Sequence, residues 1–273
     1  MKTIGPEIIS KLFLPPKNSH KGQNGKLTLI GGSSLFHGAS LWALKTASRI
    51  VDMVFYATIK ENQALTKKLN SNLYDFICIP EGKIDDYIKE SDVVLIGSGL
   101  MRELETNIIT KKLLNKYPHK KWVIDAGSLQ MIKAQDLKDL TQVIITPHKK
   151  EFINLFNLKE TNPAFVIQEK ASQYTCTIVL KGEVDLVCSE KECVLNKTGN
   201  EGMTKGGTGD VLAGLIAALA CKNDLFLAAA AGIYLNGLAG DKLYKKVGPF
   251  FNASDLCDQL PKTIWSLIEQ NKR

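Results

Sequence analysis

The chain has 273 residues, 44% of them hydrophobic, and a formal net charge of +7. That length allows one large or two small domains with a substantial core, and no proline- or serine-rich linker divides it, so one domain over residues 1–273 is expected. The charge does not describe a nucleic-acid surface: basic residues are scattered and cluster only as the pairs Lys67-Lys68, Lys111-Lys112, Lys120-Lys121, Lys149-Lys150 and Lys245-Lys246. Such pairs read as solvated faces, with attraction for an acidic small molecule as the second reading.

Six cysteines, at 78, 176, 188, 193, 221 and 257, form no CxxC pair and lie at no zinc spacing with histidine, so they are expected to be reduced core residues. The start, Met1-Lys2-Thr3-Ile4-Gly5-Pro6-Glu7, lacks the pattern of a signal peptide, and no run of 18 uncharged apolar residues occurs. A cytoplasmic protein without a membrane partner is expected.

Residues 6–14 read as a short helix stopped by Pro15-Pro16, since neither proline can continue the hydrogen-bond ladder, and residues 1–19 as an N-terminal packing arm. Lys26-Leu27-Thr28-Leu29-Ile30 is a strand ending in Gly31-Gly32-Ser33, followed by the helical pattern after His37-Gly38-Ala39. Residues 53–57 form a second strand and 76–79 a short third. The apolar run at 92–96, broken by Gly97-Ser98-Gly99, fits a strand covered on both faces. Residues 122–124 and 143–145 add strands that stop at Asp125 and at Thr146-Pro147-His148, and in a parallel sheet such carboxyl ends line the binding crevice. A helix begins at Lys149, where Glu151 suits the first turn. Residues 177–187 read as strand, turn and strand, with another at 193–196, so the sheet is mixed. Residues 225–238 form an alanine-rich helix, and Ala253-Ser254-Asp255 starts the last one.

The stretch Gly202-Met203-Thr204-Lys205-Gly206-Gly207-Thr208-Gly209-Asp210 runs straight into the apolar segment 211–220. A glycine-rich loop opening a buried helix exposes backbone N–H groups at the positive end of the helix dipole, a natural anion site. Asp210 is out of place beside an anion unless its task is to take a proton. On its own the string reads equally well as a helix cap. It is neither GxxxxGK[ST] nor GxGxxG.

Taken in order, the motifs Gly31-Gly32-Ser33 with Gly38-Ala39, Ile96-Gly97-Ser98-Gly99-Leu100, Thr146-Pro147-His148 with Glu151, Leu180-Lys181-Gly182, and Gly202-Met203 before GGTGDVLAG resemble the ADP-dependent NAD(P)H-hydrate dehydratases. These are a branch of the ribokinase-like superfamily, and the likeness covers roughly residues 20–261. It departs from their usual pattern at Lys149-Lys150, Glu201, Thr204-Lys205 and Asn236, while the loop glycines, His148 and Asp210 are intact.

The resemblance implies an α/β, ribokinase-like single domain whose mostly parallel central sheet carries helices on both faces. It implies dehydration of the S epimer of NADHX or NADPHX, with ADP as co-substrate and AMP and phosphate as products. Asp210 would be the base; Ala39, Gly99, His148 and Asp210 would contact the hydrate. Lys181, Gly182, Glu183, Val184, Asp185 and Gly209 would hold the nucleotide, Gly206, Gly207, Thr208 and Gly209 would form the anion hole, and Glu151 would help position Mg²⁺, directly or through water. Singly, each of these residues also reads as a turn or cap; their meeting at consecutive strand ends favours a site. An epimerase acting on the R epimer is expected as a separate chain, and a homo-oligomer, as a tetramer, belongs to the same expectation. A vitamin-precursor kinase of the same superfamily and a nucleotide-binding regulator without catalysis are the alternatives.

Overall fold

A computed structural model of the chain describes residues 1–58, 75–80, 82–159 and 164–270. In chain order the elements are β1 (Lys2–Thr3), β2 (Lys26–Ile30), α1 (His37–Ala47), β3 (Met53–Ala57), β4 (Ile77–Cys78), α2 (Ile84–Glu90), β5 (Val93–Ile96) and α3 (Leu104–Lys116). Then come β6 (Lys121–Ile124), α4 (Ala126–Met131), β7 (Val143–Ile145), α5 (Lys149–Phe156), α6 (Ala164–Gln173), β8 (Cys176–Leu180), β9 (Asp185–Cys188) and β10 (Cys193–Asn196). Three long helices close the chain: α7 (Thr208–Ala220), α8 (Leu225–Val247) and α9 (Ala253–Gln270).

The ten described strands form one sheet in the order β1-β10-β9-β8-β7-β6-β5-β2-β3-β4. From β8 to β4 every pairing is parallel, and β9 alone runs against both its neighbours. The central strands are apolar along their whole length because both faces are covered. One face carries Leu27, Leu29, Val93, Leu95 and Val123 against α1, α7, α8 and α9. The other carries Ile30, Val94, Ile96, Trp122 and Ile124 in a second core with Leu113, Leu129, Phe152 and Ile167.

Helix α7 is buried on nearly every side, so it stands within the helical layer rather than on its surface. Gly214 lets α1 approach: a Cβ there would come within 2.3 Å of the Ala43 carbonyl oxygen. At its other end the Lys121 ammonium donates to the carbonyls of Ala220 (3.0 Å) and Asn223 (3.3 Å), a cation on the carbonyls that end the helix. Lys120, its neighbour, donates to Ser91 O at 2.6 Å, and burial lowers its pKa. This pair is therefore structural, not a solvated face, because β6 begins where the ends of α2 and α7 need donors. Lys67-Lys68 lie outside the described residues.

The N-terminal arm also differs from expectation. Its helical part is a 3-10 helix over Pro6–Lys11, with Ile9 buried, and β1 adds a parallel strand to the sheet edge beside β10. The hairpin β9–β10 corrects the cysteine reading: Cys188 and Cys193 are joined in a disulfide, while Cys176, Cys221 and Cys257 are buried thiols. Their spacing of five residues shows nothing by itself, but the antiparallel register sets them directly opposite with Cα atoms 4.2 Å apart. Among the described residues no helix is long and apolar enough to cross a membrane. Alkylation of the denatured protein is expected to leave Cys188 and Cys193 unmodified before reduction and to modify both after it, read by mass spectrometry; both modified without reductant would refute the pairing.

Candidate active site

The carboxyl ends of β2, β5, β6, β7 and β8 lie at one edge of the sheet because these strands are parallel, and the loop into α7 comes up beside them. That loop is anchored from behind. Asn200 caps the 3-10 turn at Glu201–Thr204 by accepting from Gly202 N, while Asp241 of α8 accepts from Gly199 N (3.1 Å) and Asn200 Nδ2 (3.0 Å). Gly207, the residue before the first helical turn, has φ +95°, and a Cβ there would sit 2.4 Å from the Trp42 ring. Only glycine meets both demands.

The Thr208 hydroxyl turns inward, 2.6 Å from Met203 O and 2.9 Å from Lys205 O, so its proton holds the loop and is not offered to a ligand. Among the described residues the N–H groups of Gly206, Gly207 and Gly209 have no acceptor in the protein, and they form the anion-binding end of α7. The space beside Gly206 is open, and the Cβ position of Gly209 lies 3.6 Å from Lys181 Nζ.

Asp210, in the first turn of α7, faces the ends of β5, β6 and β8. Its pKa rises from an ordinary 3.8 to about 7, first through burial and next through the charge of Asp125, with Lys181 pulling it down. Asp125 is fully buried at the end of β6, and its Oδ1 accepts from Thr146 Oγ1 (2.7 Å) and from Lys181 Nζ (3.3 Å). Burial lowers the Lys181 pKa, but Asp125, Glu151 and Asp210 together raise it, so the ammonium stays charged.

Beside Lys181, His148 pairs with it in a parallel bridge that extends β7 and β8. His148 caps α5: its Nδ1 accepts from the N–H groups of Lys150 and Glu151, and its Nε2, which keeps the proton, lies 3.5 Å from Glu151 Oε1 on a half-exposed ring. The two oxygens of Glu151 accept from Gln130 Nε2 (2.5 Å) and His148 N (2.8 Å). This is a capping box, and no group of three potential metal ligands occurs among the described residues. Among the described residues, therefore, no set of side chains forms a protein-held cation site, and Glu151, expected near Mg²⁺, has its oxygens engaged by Gln130 and His148.

The remaining expected residues gather around these. Gly99 follows β5 with φ +76°, and its Cβ position is 3.1 Å from Ala39 Cβ and 3.2 Å from Gly32 Cα, so the first two loops meet there. In the turn after Lys181, Gly182 N donates to Asp185 Oδ1 (2.9 Å) and Asn196 Nδ2 to Asp185 Oδ2 (2.9 Å). Asp185 thus builds the turn, and Gly182, Glu183 and Val184 are its exposed part. Asn236, buried in α8, has an Oδ1 without a partner, and nothing else in the structure accounts for it. Sequence reading places Asp125 and Thr146 only as strand ends lining the crevice and gives no individual role to these two, to Ser98 or to Gln130. Three of them sit at or just after strand ends, and that position was the available signal. Two surface hollows away from these loops, one lined by Phe165 and Gln168 and one under the N-terminal arm, contain no buried titratable side chain.

A mostly parallel sheet with helices on both faces, and an acid in the first turn of a glycine-led helix at its carboxyl edge, define a ribokinase-like α/β protein. A family model described as NAD(P)H-hydrate dehydratase matches residues 27–262, and the chain belongs to that family. It is 38% identical over 259 residues to a bifunctional NAD(P)H-hydrate repair enzyme of Methanocaldococcus jannaschii, covering 90% of this chain and 49% of that one. The chain thus spans about half the length of the bifunctional relatives. An ADP-dependent (S)-NAD(P)H-hydrate dehydratase of Nitrosopumilus maritimus is 32% identical over 280 residues, covering 95% of each. The Bacillus subtilis ADP/ATP-dependent NAD(P)H-hydrate dehydratase, co-crystallised with ATP and Mg²⁺, superposes with a TM-score of 0.82 at 26% identity over 97% of this chain and 98% of its own.

The Asp210 shift has a consequence for stability. A carboxyl whose pKa is raised on folding favours the native state below its unfolded pKa, and that contribution is lost as pH rises through the folded one. Ligand-free protein should therefore lose stability between about pH 4 and 7 through this group. Asp210→Asn removes the penalty, so denaturant titration should show the mutant gaining on wild type across that interval, with a level difference above it. A constant difference at all pH values would mean that Asp210 titrates normally.

Proposed function

We propose that the chain removes water from the S epimer of hydrated NADH or NADPH, using ADP and releasing AMP and phosphate. The observation that carries this reading is an acid with a raised proton affinity in the same helical turn as free anion-binding N–H groups. In the first step the hydroxyl oxygen of the hydrate attacks the β-phosphorus of ADP, its proton passes to Asp210, and the bond to AMP breaks. The N–H groups of Gly206, Gly207 and Gly209, with the Lys181 ammonium beside Gly209, stabilise the charge on the moving phosphoryl group. In the second step the ring nitrogen expels phosphate from the carbon that carried the hydroxyl, and loss of a proton from the adjacent carbon restores the nicotinamide ring.

The hydrate lies against Ala39, Gly99 and His148. The nucleotide lies along Lys181 and the turn at 182–184, Asp185 acting only by holding that turn. Mg²⁺ enters with the nucleotide. The names of the bifunctional relatives support an epimerase activity as the source of the S epimer. A cytoplasmic setting and a homotetramer complete the proposal on the strength of family resemblance.

Purified protein mixed with NADHX, Mg²⁺ and either nucleotide should form NADH faster with ADP than with ATP, followed by absorbance. Equal or faster rates with ATP would overturn the ADP assignment, and phosphorylation of a vitamin precursor without NADH formation would favour a kinase.

Asp210→Asn should lower the dehydration rate by roughly 10²–10⁴ while ADP affinity in a direct titration is kept or improved. Because the base must be ionised, the wild-type rate should fall with one-proton slope below about pH 7. A mutant within about threefold of wild type would refute the base, being far below the usual general-base contribution.

A further inference from the structure

We infer that Asp125 is a positioning residue: it holds the Lys181 ammonium to itself and away from Asp210, so that Asp210 enters the reaction as a free base and not as half of an ion pair. The inference rests on the reading of Asp210 as the proton acceptor, and it concerns how the fold keeps that acceptor available.

The geometry is a competition of two acids for one cation. Lys181 Nζ lies 3.3 Å from Asp125 Oδ1 and also stands beside Gly209, one residue before Asp210. It is nevertheless paired with Asp125, and no ion pair to Asp210 forms among the described residues. Asp125 is held in place for this. The Thr146 hydroxyl donates to the oxygen that faces Lys181, at 2.7 Å. The backbone around Asp125 is fixed as well, because Asp125 N donates to Ile96 O and the carbonyl of Asp125 packs where a Cβ on Gly97 would otherwise stand. Asp125 is 2% exposed, and an unpaired carboxylate there would be costly.

Among the described residues, Lys181 is the cation acting on Asp210. The charged groups acting on it are Asp125 from the end of β6 and Lys181 from the end of β8; Glu151 of α5 acts on Lys181. The helices along α7 meet it through Trp42 and Ala43 of α1, Gly232 of α8 and Ala253 of α9. Asp125 therefore acts twice in one direction. Its charge discourages ionisation of Asp210, and its grip keeps the neutralising ammonium at a distance.

The test compares wild type, Asp125→Asn and Lys181→Met by two readouts: the acid limb of the pH–rate profile, and an infrared titration of the ligand-free protein in which the Asp210 carboxyl is identified by difference against Asp210→Asn. Asp125→Asn should move both to lower pH by about one unit or more, since it removes a negative charge and frees Lys181 to pair with Asp210, and it should lower kcat at the optimum. Lys181→Met should move the infrared titration to higher pH. A purely structural role for Asp125 predicts lost stability or rate with an unmoved titration. An unmoved titration, or shifts of the same sign in both variants, would overturn the inference. If Asp125→Asn fails to fold, the absence of an upward shift in Lys181→Met overturns it alone. Failure of the underlying reading would look different, because Asp210→Asn would then retain its activity.

Discussion

Two enclosed carboxylates, Asp125 and Asp210, share one ammonium, Lys181, at the carboxyl edge of the sheet. The rest of the site depends on how those three charges are divided. A carboxylate removed from water is expensive unless it is paired, and the structure gives the pair to the acid that is buried completely. The acid left over still reaches the cleft, and it is the one placed where a substrate proton can be taken. Helix α7 enforces the arrangement by being apolar on nearly all sides, so Asp210 has protein rather than solvent behind it.

An anion site with an acid inside it is a contradiction in electrostatics unless a proton moves between states. Burial and the neighbouring Asp125 charge raise the proton affinity of Asp210 toward neutrality. The loop separates the two tasks by chemistry. Gly206, Gly207 and Gly209 offer backbone donors, and Thr208, which could have offered another, spends its hydroxyl proton on the loop's own carbonyls. Glu151 shows the same economy on the other side of the cleft, where its oxygens hold Gln130 and the start of α5.

Much of the fold was legible because period and punctuation carry it. Residues 26–30, 53–57 and 143–145 become strands as read, and their polar or glycine ends become the crevice, since a strand buried on both faces needs a continuous apolar run and a parallel sheet points its strand ends the same way. The long helix over Leu225–Val247 was read short, because the alanine-rich half carries the pattern and Gly248, at φ +60°, ends it later. The edge strand at Lys2–Thr3 was not read at all: two residues have no period, and only a neighbour, β10, makes them a strand.

The sequence by itself determined the order of strands and helices, the glycine loop with its acid, and the family motifs, because each is local: propensity, periodicity and backbone freedom act within a few residues. Only the tertiary structure decided which charges meet. Lys181 and Asp125 are 56 residues apart, and Thr146 lies 21 from Asp125. Whether Lys181 pairs with Asp125 or Asp210 is a matter of distances below 4 Å that no spacing encodes. The disulfide between Cys188 and Cys193 follows from hairpin register, and the structural role of Lys120-Lys121 from where α2 and α7 end, so both waited for the packing of one element on another. Charge and thiol chemistry act across space, and the sheet brings together what the chain keeps apart.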